Sequence, residues 1–164
     1  MMSDDFKARF ESAIQRGNNR REQAADQSRK AEMSEEELKR LHTSFRLALS
    51  ERIEAKVNDI IDAFPGFRHE ALFGEVGWGS ACYRDDLHLD SGRRTNQYSR
   101  FEMVIRPMSD LKVLDLKGKG TIKNRELFNR SLFREISEVD LVEFEQIIDA
   151  WTIEYAEQFA AKAS

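Results

Sequence analysis

Glycine and proline crowd into the middle of this chain. Seven of the eight Gly and both Pro lie between Pro65 and Gly120, and neither type occurs between Asn18 and Phe64 or after Gly120. Both residues break helices and punctuate turns. The order read from this is helical, then β-rich with turns, then mostly helical. With 164 residues and 40% apolar composition, the chain is one domain's worth and can bury a core.

The N-terminal part reads as an appendage. Ser3 can cap a short helix, with Asp4 and Asp5 in its first turn. Phe6, Phe10, Ala13 and Ile14 share one face, which either docks on the chain's own domain or packs against another copy or another protein, and Gly17-Asn18-Asn19 is expected to end the helix. From Arg20 to Ala31 only alanines are available to bury. Residues 1–33 are therefore expected to form a helical extension, and 34–164 a single α+β domain. Asp4 and Asp5 stand where a secretory signal would carry positive charge, and no apolar run approaches membrane-spanning length. A cytosolic protein without membrane contact is expected. The single Cys82 excludes an internal disulfide.

Two later helices announce themselves. Ser34 precedes Glu37 as in a capping box, with Met33 and Leu38 as a hydrophobic staple. Leu38, Leu41, Phe45, Leu49, Ile53, Val57, Ile60, Ile61 and Phe64 follow at helical spacing until Pro65-Gly66. Ser137 and Asp140 repeat the cap, with Ile136 and Leu141 as staple, before the stripe Leu141, Phe144, Ile148, Trp151, Tyr155 and Phe159. Trp151 and Tyr155 lie in that stripe and are expected in the core.

Strands are expected at 67–73, 76–84, 98–106 and 111–117. If Pro107-Met108-Ser109-Asp110 closes the last pair, Phe101, Met103 and Ile105 share an apolar face with Leu114 and Leu116. The other face carries Arg100, Glu102, Val104, Val113, Asp115 and Lys117, with Glu102 directly across from Asp115. The plain reading is a solvated face of diagonal ion pairs. The sharper one sets Mg²⁺ between the two carboxylates, with Lys117 to polarise a phosphate.

Charge is unevenly spread. From Lys112 to Arg134 there are seven basic residues against Asp115 and Glu126; from Glu138 onward there are seven acids against Lys162. Lys117, Lys119, Lys123 and Arg125 could form an anion patch, or the basic stretch could neutralise the acidic C-terminal helix within the fold. The net charge of −4 speaks against a nucleic-acid coat protein, so nucleic acid is not an expected partner. Asp86, His88 and Asp90 alternate on one side of a strand-like stretch, with His69 the nearest candidate for a second imidazole. Gly74, Gly77 and Gly79 have the wrong order for a dinucleotide fingerprint and suit a bulge or a close backbone approach.

The expected fold is α+β: a mainly antiparallel sheet of about four strands with two long helices, 35–64 and 138–161, on one face. The expected function is non-enzymatic protein interaction, through a partner or a homodimer, with Phe6, Phe10 and Ile14 as contact and no cofactor. The alternative is a metal-dependent phosphodiesterase or nuclease using Glu102, Asp115 and Lys117. A third reading is a small-molecule binding module with its pocket between sheet and helices.

Overall fold

The computed structural model describes residues 3–162, apart from the side chains of 27–34. Two compact units divide the chain, Met1–Lys39 and Arg40–Ser164. A single helix, α1 (Asp4–Ala63), runs through both stretches of sequence. The cap at Ser3 forms: its Oγ accepts from the Phe6 N–H at 3.3 Å. The expected stop at Gly17-Asn18-Asn19 does not occur, nor does a fresh start at Ser34. A helical Gly costs only about 1 kcal/mol relative to Ala, and the Arg, Gln, Glu, Lys and Ala that follow are good helix formers. The side chains of Met33 and Ser34 lie outside the described residues.

In the second unit α1 buries Leu49, Ile53, Val57 and Ile60 on one stripe. Leu41, expected on that stripe, is exposed. Pro65-Gly66 ends the helix as expected, with Gly66 at φ +102°.

Five strands follow as an antiparallel meander: β1 (Arg68–Leu72), β2 (Trp78–Asp90), β3 (Arg93–Ile105), β4 (Val113–Ile122) and β5 (Arg125–Glu135). The fold is α+β, with one strand more than expected. That strand was hidden because the β4–β5 turn contains no Gly or Pro. Lys123 and Asn124 take φ +48° and +70° instead, which closes a two-residue hairpin of the primed type. Asn124 secures it: its Oδ1 accepts from the Tyr98 N–H at 2.9 Å and its Nδ2 donates to the Asn96 carbonyl at 2.8 Å.

After a 3₁₀ turn (Ile136–Glu138), helix α2 spans Leu141–Ala161. It begins later than the Ser137 cap implied. Val139 is extended, and the N-cap is Asp140, whose side chain accepts from the Val142 N–H. Phe144, Ile148, Tyr155 and Phe159 are almost fully buried, each worth about 1.5–3 kcal/mol of transfer free energy. Trp151 and Tyr155 are core, as expected. The rings of Tyr155 and Phe101 stack at 4.9 Å, and Phe159 meets Phe64 edge-on at 4.8 Å. Arg52 of α1 grips Asp149 of α2 with two hydrogen bonds of 3.0 and 2.6 Å. Within the second unit, α2 and the part of α1 from Arg40 onward pack on the face of the sheet that carries Phe101, Met103 and Ile105, and neither covers the opposite face. No helix among the described residues is long and apolar enough to cross a membrane.

Candidate functional site

The β3–β4 register decides what the uncovered face displays. The connection is wider than four residues: Ile105 pairs with Leu116, Glu102 with Lys119 and Arg100 with Thr121. Every partner is displaced by four positions from the expected pairing. Because the displacement is even, no side chain changes face. Phe101, Met103, Ile105, Leu114 and Leu116 are buried as expected. The expected confrontation of Glu102 with Asp115 is corrected. Asp115 lies four residues along β4 from Lys119, the residue that pairs with Glu102, a run of about 13 Å. Its cross-strand neighbour on β5 is Phe133.

The pairings line up rows across the outer face. One row runs Leu72, Gly79, Val104, Lys117, Ser131. The next runs Glu70, Ala81, Glu102, Lys119, Asn129. Gly79 and Ala81 contribute almost no side chain to these rows. No larger residue fits at Gly79, where a Cβ would run into the backbone of Met103 and Val104. The close backbone approach read from the glycines is thus made against β3. Along these rows lies a hollow of about 340 Å³, lined by Leu72, Val76 and Val104 and rimmed by Arg106, Lys117 and Lys119. Arg100, Glu102 and Asn129 complete one side.

The charges in the hollow are of two kinds. Arg100 is tied down: it bonds Glu70 at 2.7 Å and Glu102 at 3.2 Å. Burial would depress its pKa, but the hydrogen bonds to Glu70 and Tyr98 and the charge of Glu102 outweigh this and hold it above the ordinary value. Arg106, Lys117 and Lys119 have no carboxylate within salt-bridge distance among the described residues. Elsewhere the basic stretch neutralises the acidic helix, one of the two expected outcomes. Arg130 holds Glu154 at 2.5 Å and Arg134 holds Glu143 at 3.0 Å. Those arginines point to the helix side of β5, whereas Lys117 and Lys119 alternate to the other side of β4. The expected anion patch therefore divides. Lys117 and Lys119 share the hollow, while Lys123 and Arg125 sit at the β4–β5 turn, where the Lys123 amine donates to the Lys162 carbonyl.

Asp115 lines a neighbouring depression with Leu111, Val113 and Phe133. Its Oδ1 is buried without a hydrogen-bond partner. Asp86, His88 and Asp90 lie on the protruding end of the β2–β3 ribbon. Arg84 binds Asp86 at 2.8 Å, and His69 pairs with Cys82, well back along β2. Among the described residues no group of three or more His, Cys, Asp or Glu could hold a metal ion. Burial pushes the Cys82 thiol up to about 12, which removes it as a nucleophile at neutral pH.

Sequence reasoning missed Arg106, Leu72, Val76 and Asn129 as lining residues. Only the β4–β5 pairing and the rows across the sheet bring them together, and no spacing along the chain encodes that.

In the first unit, Phe6, Phe10 and Ile14 project from one side of α1 and are each about half exposed. The Phe6 and Phe10 rings stack at 6.0 Å. Lys7 and Glu11 border the stripe on one flank, Arg9 and Arg16 on the other. The chain matches no protein-family model, no curated protein and no solved structure, so the reading of these surfaces rests on their geometry and chemistry.

Proposed function

We propose that this chain is a non-enzymatic protein-interaction module that associates with a second copy of itself through the first unit of α1. The observation that carries the reading is exposure: Phe6, Phe10 and Ile14 are 50%, 51% and 52% exposed. The helix is the only element of that unit among the described residues. A helix with such a stripe gains most of its stability when the stripe is covered.

Charge favours a second copy as the cover. An antiparallel pair centred on Phe10 sets Phe6 against Ile14 of the other copy. On one flank Lys7 then lies beside Glu11, and on the other Asp5 lies beside Arg16. Only Arg9 meets its own like. The contact spans about four turns, less than a standard interface of roughly 1,600 Å². The association is therefore weak and concentration-dependent.

Light scattering on the full chain over a concentration series tests this. The expected mass rises from one copy toward two for the wild type and stays at one copy for Phe10→Asp. Exchanging Lys7 with Glu11 retains the cross-copy pair and keeps association. A wild-type mass that stays at one copy across the series removes the reading.

A further inference from the structure

The hollow on the outer sheet face is distinct from the helix stripe and calls for a different kind of ligand. Its floor is apolar, from Leu72, Val76 and Val104, and its rim carries the cations of Arg106, Lys117 and Lys119. Two of the carboxylates nearby are committed: Glu70 and Glu102 are both held by Arg100. Asp115 lines the adjoining depression; it stands across from Arg106 and two residues from Lys117 on the same face, but forms a salt bridge with neither. Three cations that form no salt bridge among the described residues, with only Asp115 as an uncommitted carboxylate beside them, leave an excess of positive charge at an apolar floor, a site for a single negative head joined to a greasy body. The volume, about 340 Å³, is at the small end for ligand sites. It admits a head group and a short chain and is too small for a nucleotide with its several phosphates. Glu102 beside Lys119 further disfavours a polyanion.

We propose that this hollow binds a small organic monoanion with a short aliphatic body, a medium-chain carboxylate being the chemical type. The carboxylate lies between Arg106 and Lys117, which flank Val104 from consecutive outward positions of β3 and from β4. The chain lies over Val104 toward Leu72 and Val76. Lys119 adds to the local positive potential, and Asn129 offers an amide to the rim.

Octanoate is the probe. Calorimetry and thermal melts of the full chain are expected to show one octanoate per chain and a midpoint that rises with its concentration, because binding to the native state alone must stabilise it. Lys117→Gln and Arg106→Gln are each expected to weaken binding about tenfold, the effect of losing one charge-assisted contact. Lys117 is exposed, so Lys117→Gln leaves the fold intact, which circular dichroism verifies; Lys123→Gln, outside the hollow, is expected to bind as wild type. Octylammonium and inorganic phosphate separate the two halves of the site, and neither is expected to bind comparably. Octylammonium binding as well as octanoate would show only a greasy surface and overturn the proposal. Phosphate binding as well would show that the apolar floor is unused, with the same result. No heat and no midpoint shift with octanoate at millimolar concentration would also overturn it.

Discussion

The indole of Trp151 packs against Gly118, so close that a Cβ there would come within 2.5 Å of the ring's Cε3. Gly118 faces the helices from β4, and Trp151 is nearly buried in α2. In a strand, Gly→Ala usually helps slightly by restricting the unfolded chain. Here the overlap reverses the sign. Gly118→Ala is expected to destabilise by about 1–3 kcal/mol, the range of overpacking. Trp151→Leu in the same chain should recover part of that loss, and a urea double-mutant cycle measures the coupling. Additive losses would mean that the ring moves aside freely.

The start of α2 gives a second prediction. Asp140 accepts from the Val142 N–H at 3.1 Å, and Ser137 belongs to the preceding 3₁₀ turn. Asp140→Ala should lower stability by about 0.5–2 kcal/mol. Ser137→Ala should change it little. Denaturant midpoints at unchanged slope distinguish them.

These particulars show where the sequence was informative. Apolar alternation placed Phe101, Met103, Ile105, Leu114 and Leu116 on one face, because a face depends only on parity. Register depends on the width of the connection, and nothing in Pro107–Lys112 announces that Arg106 donates its N–H to the Asp115 carbonyl. Strand β5 was missed because Lys123 and Asn124 adopt left-handed backbone that glycine usually supplies. The paired carboxylates failed with the register. Phe6, Phe10 and Ile14 were legible as a stripe, since helical spacing alone defines one. The hollow was not, because its lining comes from four strands and two connections.

His42 supplies a pH dependence. It is nearly buried, and its Nε2–H donates to the Arg106 carbonyl at 3.2 Å. Desolvation lowers its pKa from the ordinary 6.5, the bond to the carbonyl opposes this, and the charge of Arg46 adds to the lowering. A folded-state pKa below the unfolded one means that the unfolded chain takes up the proton first. This contribution to stability is complete above pH 6.5 and is lost as the pH falls through the folded value. His42→Gln keeps an amide donor and cannot titrate. Its stability profile should therefore be flatter than the wild type's below pH 6.5, with the difference closing above it. Parallel profiles would show that other groups set the acid limb.

The β3–β4 register bears on divalent cations. Glu102 bonds Arg100, while Asp115 lies about 13 Å further along the strands from Glu102's partner Lys119. A shared ion is therefore not expected, and millimolar Mn²⁺ should leave the thermal midpoint unchanged. Glu102→Gln should weaken only the Arg100 cluster, by about 1 kcal/mol at most, with or without the metal. A Mn²⁺-dependent rise in the midpoint that disappears in Asp115→Asn would revive the two-carboxylate site.

The Lys123-Asn124 turn offers the sharpest separation of two physical effects. Both residues occupy left-handed backbone, costly for Lys and tolerated by Asn, and the Asn124 side chain also joins the turn to β3 through Tyr98 and Asn96. Lys123→Gly removes strain at a position that needs positive φ but also removes the exposed bond from the Lys123 amine to the Lys162 carbonyl, so the two effects offset and stability is expected to stay within about 1 kcal/mol of the wild type. Asn124→Gly relieves the backbone but deletes two hydrogen bonds, each worth about 0.5–1.5 kcal/mol, so it should destabilise on balance. Asn124→Ala loses the bonds and keeps the strain, and is expected to be the worst of the three. The order Lys123→Gly close to wild type, then Asn124→Gly, then Asn124→Ala can be read from thermal midpoints alone. If Asn124→Gly matched or exceeded the wild type, the turn would be held by backbone preference only, and the link from Asn124 to β3 would have no energetic role.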